Sequence, residues 1–142
     1  MRIQLIAKAV VVNDKGEVLL LRRSKTAPHR PLQWDLPGGT VDDTDETYAH
    51  ACAREIAEEA SIAVEVKSLE LTRAESVIAT DGENAALTFL YYVVRLAEVP
   101  EVKLSYEHDQ FKWLSLDEAI KLSEYDRQRR TLEYIRDNKL LA

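Results

Sequence analysis

Apolar residues in the first part of the chain come in short runs and not at helical spacing. Residues 3–12 and 18–23, rich in Val, Ile and Leu, flank the polar stretch "NDKGE", which predicts two strands joined as an antiparallel hairpin. A basic, proline-bearing loop, "SKTAPHRPLQ", then leads into "WDLPGGTV", where Pro37 bars helix and Gly38 and Gly39 allow backbone angles that other residues avoid. After that the period changes. From about Thr44 to Ala60, the residues Ala49, Cys52, Ala53, Ile56 and Ala60 gather on one helical arc, small enough for a helix to lie close against a sheet. "IAVEVKSLELTRAESVI" and "ALTFLYYVVRLAEV" read as two longer strands joined around the turn "TDGEN". A last strand, "QFKWLSL", runs into "SLDEAIKL", where Ser115 and Glu118 have the spacing of a capping box. "YDRQRRTLEYIRDNKLL" predicts an amphipathic helix with Leu132, Ile135 and Leu140 toward the core. With no repeat, low-complexity tract or linker, residues 1–142 are expected to form one α/β (α+β) domain.

Composition narrows the class. A chain of 142 residues, 46% hydrophobic and 31% charged, fits a soluble globular domain. Its longest apolar runs fall far short of the roughly 20 residues of a membrane-crossing helix. The start, "MRIQLIAKAVVV", has charge inside its apolar stretch and no cleavage pattern, so it reads as a strand and a cytoplasmic location is expected by default. Cys52, the only cysteine, excludes an internal disulfide and is a poor choice of nucleophile. A net charge of −6 argues against nucleic-acid or membrane partners. Any phosphate-bearing ligand must then be met locally, and "LLLRRSKTAPHR" gathers Arg22, Arg23, Lys25 and Arg30, unless these are only a solvated strand end and loop.

The central helix concentrates its own repulsion. At 100° per residue, Glu58 and Glu59 fall about 60° to one side and about 40° to the other of Glu55, so the three carboxylates share one face beside the packing arc. On an open surface such neighbours cost only a few tenths of a kcal/mol. Partly desolvated, at about 6 Å and an effective dielectric of about 20, each charged pair would repel by roughly 3 kcal/mol. A divalent cation would turn that penalty into attraction, and hard oxygen donors without His or Cys suit Mg²⁺, with Mn²⁺ as the alternative.

What precedes these glutamates sharpens the reading. "LPGGTVDDTDETYAHACAREIAEEASI" resembles the signature of the Nudix hydrolase family, with Glu46, seven residues, then Arg54, Glu55, Ile56, Glu58, Glu59 and Ile62 in register. Two departures stand out. Six residues separate Gly39 from Glu46 where the family has five, which leaves Asp45 at the nominal glutamate spacing. Ser61 replaces the glycine after the helix, where a left-handed conformation would cost a non-glycine residue about 1 kcal/mol and a different helix end is open to the chain.

The resemblance implies an α/β/α sandwich, a mixed sheet between helices, that hydrolyses a nucleoside diphosphate linked to another group with metal held by Glu55, Glu58 and Glu59. It also implies that Arg54 orients a motif glutamate, that Arg23 contacts phosphate, and that Gly38 and Gly39 lie close to helix and ligand, although an ordinary tight turn would use the same two glycines. Family members place the general base either on the motif helix, where Glu55 and Glu58 stand, or on a late glutamate. "SYEHDQFKWLSLDEA" resembles that late segment, which makes Glu107 the first candidate and Asp109 the second. Glu46 matches the first motif glutamate, yet it could equally close a capping box with Asp43. His108 could shuttle a proton, but a lone loop histidine is more often simply exposed, and Trp34, Phe89, Tyr91 and Trp113 either stack a base or fill the core. Chain size suggests a nucleoside triphosphate or related small nucleotide as substrate, with a homo-oligomer left open. The rival classes are a Nudix-like domain that senses a nucleotide without cutting it, which loss of a motif carboxylate would favour, and a plain α/β interaction domain indifferent to metal.

Overall fold

The computed structural model describes residues 2–78 and 85–141. Within these residues seven strands form one hydrogen-bonded sheet: β1 (Arg2–Val12), β2 (Val18–Arg23), β3 (Trp34–Asp35), β4 (Gly38–Thr40), β5 (Glu70–Ile78), β6 (Ala85–Arg95) and β7 (His108–Leu114). Three α-helices accompany them: α1 (Tyr48–Ala60), α2 (Leu116–Leu122) and α3 (Asp126–Asp137). None of the helices is long and apolar enough to cross a membrane among the described residues.

The first two strands depart from the simple hairpin expected. They meet only at Val12 and Val18, where Asn13 Oδ1 accepts from the amides of Lys15 and Glu17 and closes the turn. From there the strands diverge. β1 pairs in parallel with β6 along its whole length, from Arg2 opposite Ala85 to Val12 opposite Arg95, and its other edge takes β4. β2 instead pairs with β3 and β7. The reason lies in the side chains of β1, which are buried on both faces: Ala7, Ala9 and Val11 look one way, Val10 and Val12 the other. A strand covered on both faces belongs in mid-sheet and reads as the unbroken "VVV" run seen here.

Two cores follow from that alternation. On one face Leu19, Leu21 and the β1 residues pack against Cys52, Ile56 and Ala60 of α1; on the other Leu20, Trp34, Leu36 and Val93 pack against Ile120, Leu132 and Ile135 of α2 and α3. Leu140 joins the second core from partly buried ground. The mixed sheet between helices is thus as expected.

Helix ends differ in detail. α1 begins at Tyr48 and not near Thr44, with Thr47 Oγ1 accepting from the His50 amide at 3.1 Å, so the box of Asp43 and Glu46 does not form. Its end does use a left-handed residue without glycine: Ser61 has φ 59° and ψ 31°, and its hydroxyl donates to the Lys103 carbonyl at 3.0 Å. The capping box of Ser115 and Glu118 is present. Residues 62–69, expected as strand, are extended and then turn through a 3₁₀ segment at Val66–Ser68 before β5 begins. "TDGEN" lies outside the described residues.

One side chain ties the glycine-bearing corner to α3. Buried Gln128 accepts from the Leu36 amide at 3.1 Å and donates to the Trp34 carbonyl at 3.2 Å and Ser123 Oγ at 2.8 Å. Nothing in the polar pattern of "DRQRR" singled it out. Gln128→Leu keeps the volume but orphans two buried backbone groups, and is expected to lower stability by about 2–4 kcal/mol. Urea denaturation with an unchanged m-value would measure this; a loss below about 0.5 kcal/mol would mean the corner is held by something else.

Candidate active site

The site begins with the two glycines. Gly38 has φ +145°, and a Cβ there would stand 2.1 Å from the Ala7 carbonyl oxygen, so only glycine lets β4 lie this close to β1. A Cβ on Gly39 would stand 2.6 Å from the Glu55 carboxyl carbon. The pair is therefore more than a tight turn: it makes room for the acidic face of α1. The Gly38 amide donates to both oxygens of Glu59, at 3.3 and 3.4 Å.

Glu55, Glu58 and Glu59 open into one cavity of about 800 Å³, together with Gly38, Gly39, Arg23 and Glu107. Arg54 does not line it but stands alongside, and its guanidinium gathers the surrounding acids. Nε and Nη2 donate to the two oxygens of Asp45, each at 2.8 Å, while Nη1 donates to Glu55 Oε1 at 3.0 Å and to Glu58 Oε2 at 3.3 Å. Asp45 is held down to about 2 by those Arg54 hydrogen bonds and the Asp42 amide. The extra residue before the helix thus places Asp45 where the motif alignment had put Glu46. The Glu46 side chain is 82% exposed and reaches His50 at 3.5 Å, so it neither caps α1 nor faces the cavity.

Burial differs sharply along the acidic face. The side chain of Glu59 is 4% exposed, that of Glu55 16% and that of Glu58 57%. Burial pushes the Glu59 carboxyl up to about 9, against the field of Lys8, and burial likewise raises Glu55. Lys8 Nζ bonds Asp35 Oδ2 at 2.9 Å and the Leu36 carbonyl at 3.0 Å, and Arg23 Nη1 reaches the same Asp35 oxygen at 3.5 Å. His108 is buried, not exposed as expected, because it opens β7 opposite Arg23 in the sheet. Burial pushes its imidazole down to about 4, and Nε2 lies 3.9 Å from Glu59 Oε1. Among the described residues, Asp35 Oδ1 and His108 Nδ1 are buried without a hydrogen-bond partner.

The late loop divides the two base candidates. Glu107 is exposed at the cavity, with its own carbonyl accepting from the Ser24 amide at 2.9 Å. Asp109 is outside the cavity lining and bound in bidentate fashion by Arg22, at 2.8 and 2.9 Å, which holds its carboxyl below the ordinary range. That engagement removes Asp109 as a base candidate. Of the aromatic residues, Phe89 and Tyr91 line the cavity with ring centres 6.3 Å apart, while Trp34 and Trp113 pack in the cores. Lys8 and Asp35 were missed in the sequence, although Lys8 is the one charge inside the apolar run "LIAKAVVV".

Among the described residues no three His, Cys, Asp or Glu side chains are already drawn together at metal-holding distance. The donor set still suits a hard divalent cation: desolvated carboxylates on Glu55 and Glu59, an exposed one on Glu58, and no sulfur or exposed imidazole among them.

The profile of the NUDIX domain matches residues 3–135. The chain belongs to the Nudix family. It is 32% identical over 111 residues to the asymmetrical bis(5'-nucleosyl)-tetraphosphatase of Caenorhabditis elegans, covering 78% of this chain and 76% of that protein. The rat protein of the same description is 33% identical over 125 residues, with 87% and 80% covered. Among solved structures, the MutT protein of Methanosarcina mazei superposes with a TM-score of 0.80 at 30% identity, covering 97% of this chain and 96% of that one. The C. elegans Ap4A hydrolase in a binary complex gives 0.75 at 27% identity, with 96% and 98% covered. This Nudix protein is accordingly a pyrophosphohydrolase, of a family whose chemistry uses divalent metal.

The buried acid gives the Nudix domain a pH signature when metal is withheld. With a folded value near 9 against an ordinary 4.5, Glu59 contributes stability that is full below pH 4.5 and is lost as pH rises to about 9. His108, folded near 4 against 6.5, acts oppositely, but only below pH 6.5. In EDTA the Tm is therefore expected to fall between pH 6.5 and 9, and Glu59→Gln to flatten that slope, as differential scanning fluorimetry would record. A Tm that rises across this window would contradict the assignment.

Proposed function

We propose that this protein hydrolyses nucleoside polyphosphates in a Mg²⁺-dependent reaction, with dinucleoside tetraphosphates as the foremost substrates, cut asymmetrically into a nucleoside triphosphate and a monophosphate. The observation that carries the reading is a single cavity of about 800 Å³ lined by Glu55, Glu58, Glu59 and Glu107 and, across from them in the sheet, by Lys8 and Arg23. That volume lies in the upper part of the range for small-molecule sites of roughly 300–1,000 Å³. The identities to two tetraphosphatases, above 30% over most of the chain, favour that substrate over the simple triphosphate suggested by chain size.

Hydrolysis of a polyphosphate sets three demands: its charge must be met, water must be brought in line with the bridging bond, and that water must lose a proton. A cation held by Glu55, Glu58 and Glu59 would neutralise phosphate charge and lower the pKa of bound water. The chain supplies the rest. Arg54 fixes the Glu55 and Glu58 carboxylates through Nη1, and is itself fixed by its fork on Asp45. Arg23 and Lys8, held toward the cavity by Asp35, meet phosphate oxygens. Glu107, exposed on the late loop, takes the proton from the attacking water. Phe89 and Tyr91, nearly buried, close the cavity from the core side.

A panel of dinucleoside tetraphosphates, nucleoside triphosphates and ADP-ribose, offered with and without Mg²⁺, tests this reading. Turnover is expected to be abolished by EDTA and to be highest in kcat/KM for the tetraphosphates. Glu58→Gln should cut kcat at least about a hundredfold while leaving Tm within a few degrees, since the Glu58 side chain is 57% exposed. Metal-independent turnover, or none across the panel, would support a sensing or interaction role instead.

A further inference from the structure

The cations of the cavity fall into two pairs. Lys8 and Arg23 share Asp35 as a counterion. Arg30 and Arg127 share no carboxylate: among the described residues neither forms an ion pair, and each lies against a ring. The Arg30 guanidinium carbon stands 4.1 Å from the centre of the Tyr125 ring, and that of Arg127 stands 3.9 Å from Phe89 and 5.5 Å from Tyr125. Ring faces offset part of the lost hydration but leave the edge N–H groups of a guanidinium free to donate.

Arg127 is half-buried, and burial followed by the Arg30 charge lowers its pKa. Two cations facing one ring without an anion between them repel, and an anion placed there would relieve both. Arg30 is also held at φ 49°, in the left-handed region, within a loop that places Leu32 at φ 65° and is pinned by Arg23 Nε donating to the His29 carbonyl at 2.9 Å. An Arg in that conformation costs about 1 kcal/mol, a cost kept where the side chain serves a site. Arg30, Tyr125 and Arg127 line both the main cavity and an adjoining one of about 370 Å³, whereas Glu55, Glu58 and Glu59 line only the first. The pair therefore stands on a wall apart from the acidic helix.

We propose that Arg30 and Arg127 form a second phosphate subsite, which takes the outer phosphates of a chain whose scissile bond lies at the acidic helix. Bidentate donation by the two planar forks suits phosphate oxygens. The subsite makes phosphate-chain length a determinant of specificity, favouring three or more phosphates over a diphosphate bridge. This rests on the polyphosphate reading above for its substrate, but its binding test does not need turnover.

Isothermal titration of inorganic tripolyphosphate in EDTA, with wild type, Arg30→Gln, Arg127→Gln and the double variant, measures the subsite directly. The double variant is expected to bind at least tenfold more weakly, and Arg30→Lys to retain part of the affinity. With Mg²⁺, KM for a dinucleoside tetraphosphate should rise at least tenfold in the double variant with kcat within threefold, and the loss for ADP-ribose should be smaller. Equal tripolyphosphate affinity in wild type and a folded double variant would overturn the subsite, as would loss of adenosine binding with tripolyphosphate binding intact. Should Arg127→Gln not fold, exposed Arg30 decides alone: Arg30→Gln must weaken tripolyphosphate binding at least threefold or the proposal fails. Weakened binding in an enzyme that turns over nothing on the panel would keep the subsite and reject the polyphosphatase reading.

Discussion

The structure turns on a carboxylate taken out of water with, among the described residues, no full countercharge in contact. Glu59 is buried beneath the Gly38 amide, reached by two long hydrogen bonds and by the field of Lys8. In a low-dielectric setting such a group must either hold its proton or acquire a cation. Much of the surrounding architecture accommodates that choice: glycines at 38 and 39 let β4 and α1 close around it, and Arg54 steadies the two neighbouring carboxylates without neutralising Glu59. A helix of small residues brings the acids to the sheet. Bulkier side chains at 52 or 60 would hold α1, and with it Glu59, away from β4.

The inserted residue before α1 shows how a motif survives a change of spacing. Arg54 requires an acid beside it, and either Asp45 or Glu46 could have met that requirement on paper. Thr47 takes the helix cap, the loop folds back through Asp42, and Asp45 arrives in front of the guanidinium while Glu46 is left in solvent. A carboxylate meets the arginine fork here, supplied by Asp45 and not by its neighbour Glu46.

Around this centre the cavity is sorted by charge. Acids lie on α1 and the late loop, two cations that share the single carboxylate of Asp35 sit on the strands, and a pair without an ion-pair partner among the described residues borders the beginning of α3. A polyphosphate bound with metal is complementary to that order, since its charge is spread along a chain and not focused at a point.

Strand and helix alternation, the capping box at Ser115 and the acidic helix face were legible in the sequence, because each depends on neighbours within a few residues. The family was legible for the same reason, its signature being local. What the sequence could not show was which distant groups share a space. β1 left its hairpin partner because both its faces are buried, and only β6, more than 70 positions away in the chain, runs beside it over its whole length. That pairing, with β7 on β2, brought Lys8, Asp35 and His108 to one buried cluster and turned an expected surface histidine into an interior one. Burial, and with it the protonation of Glu59 and the isolation of Arg127, depends on packing across the whole sheet, and no short stretch of residues carries that information.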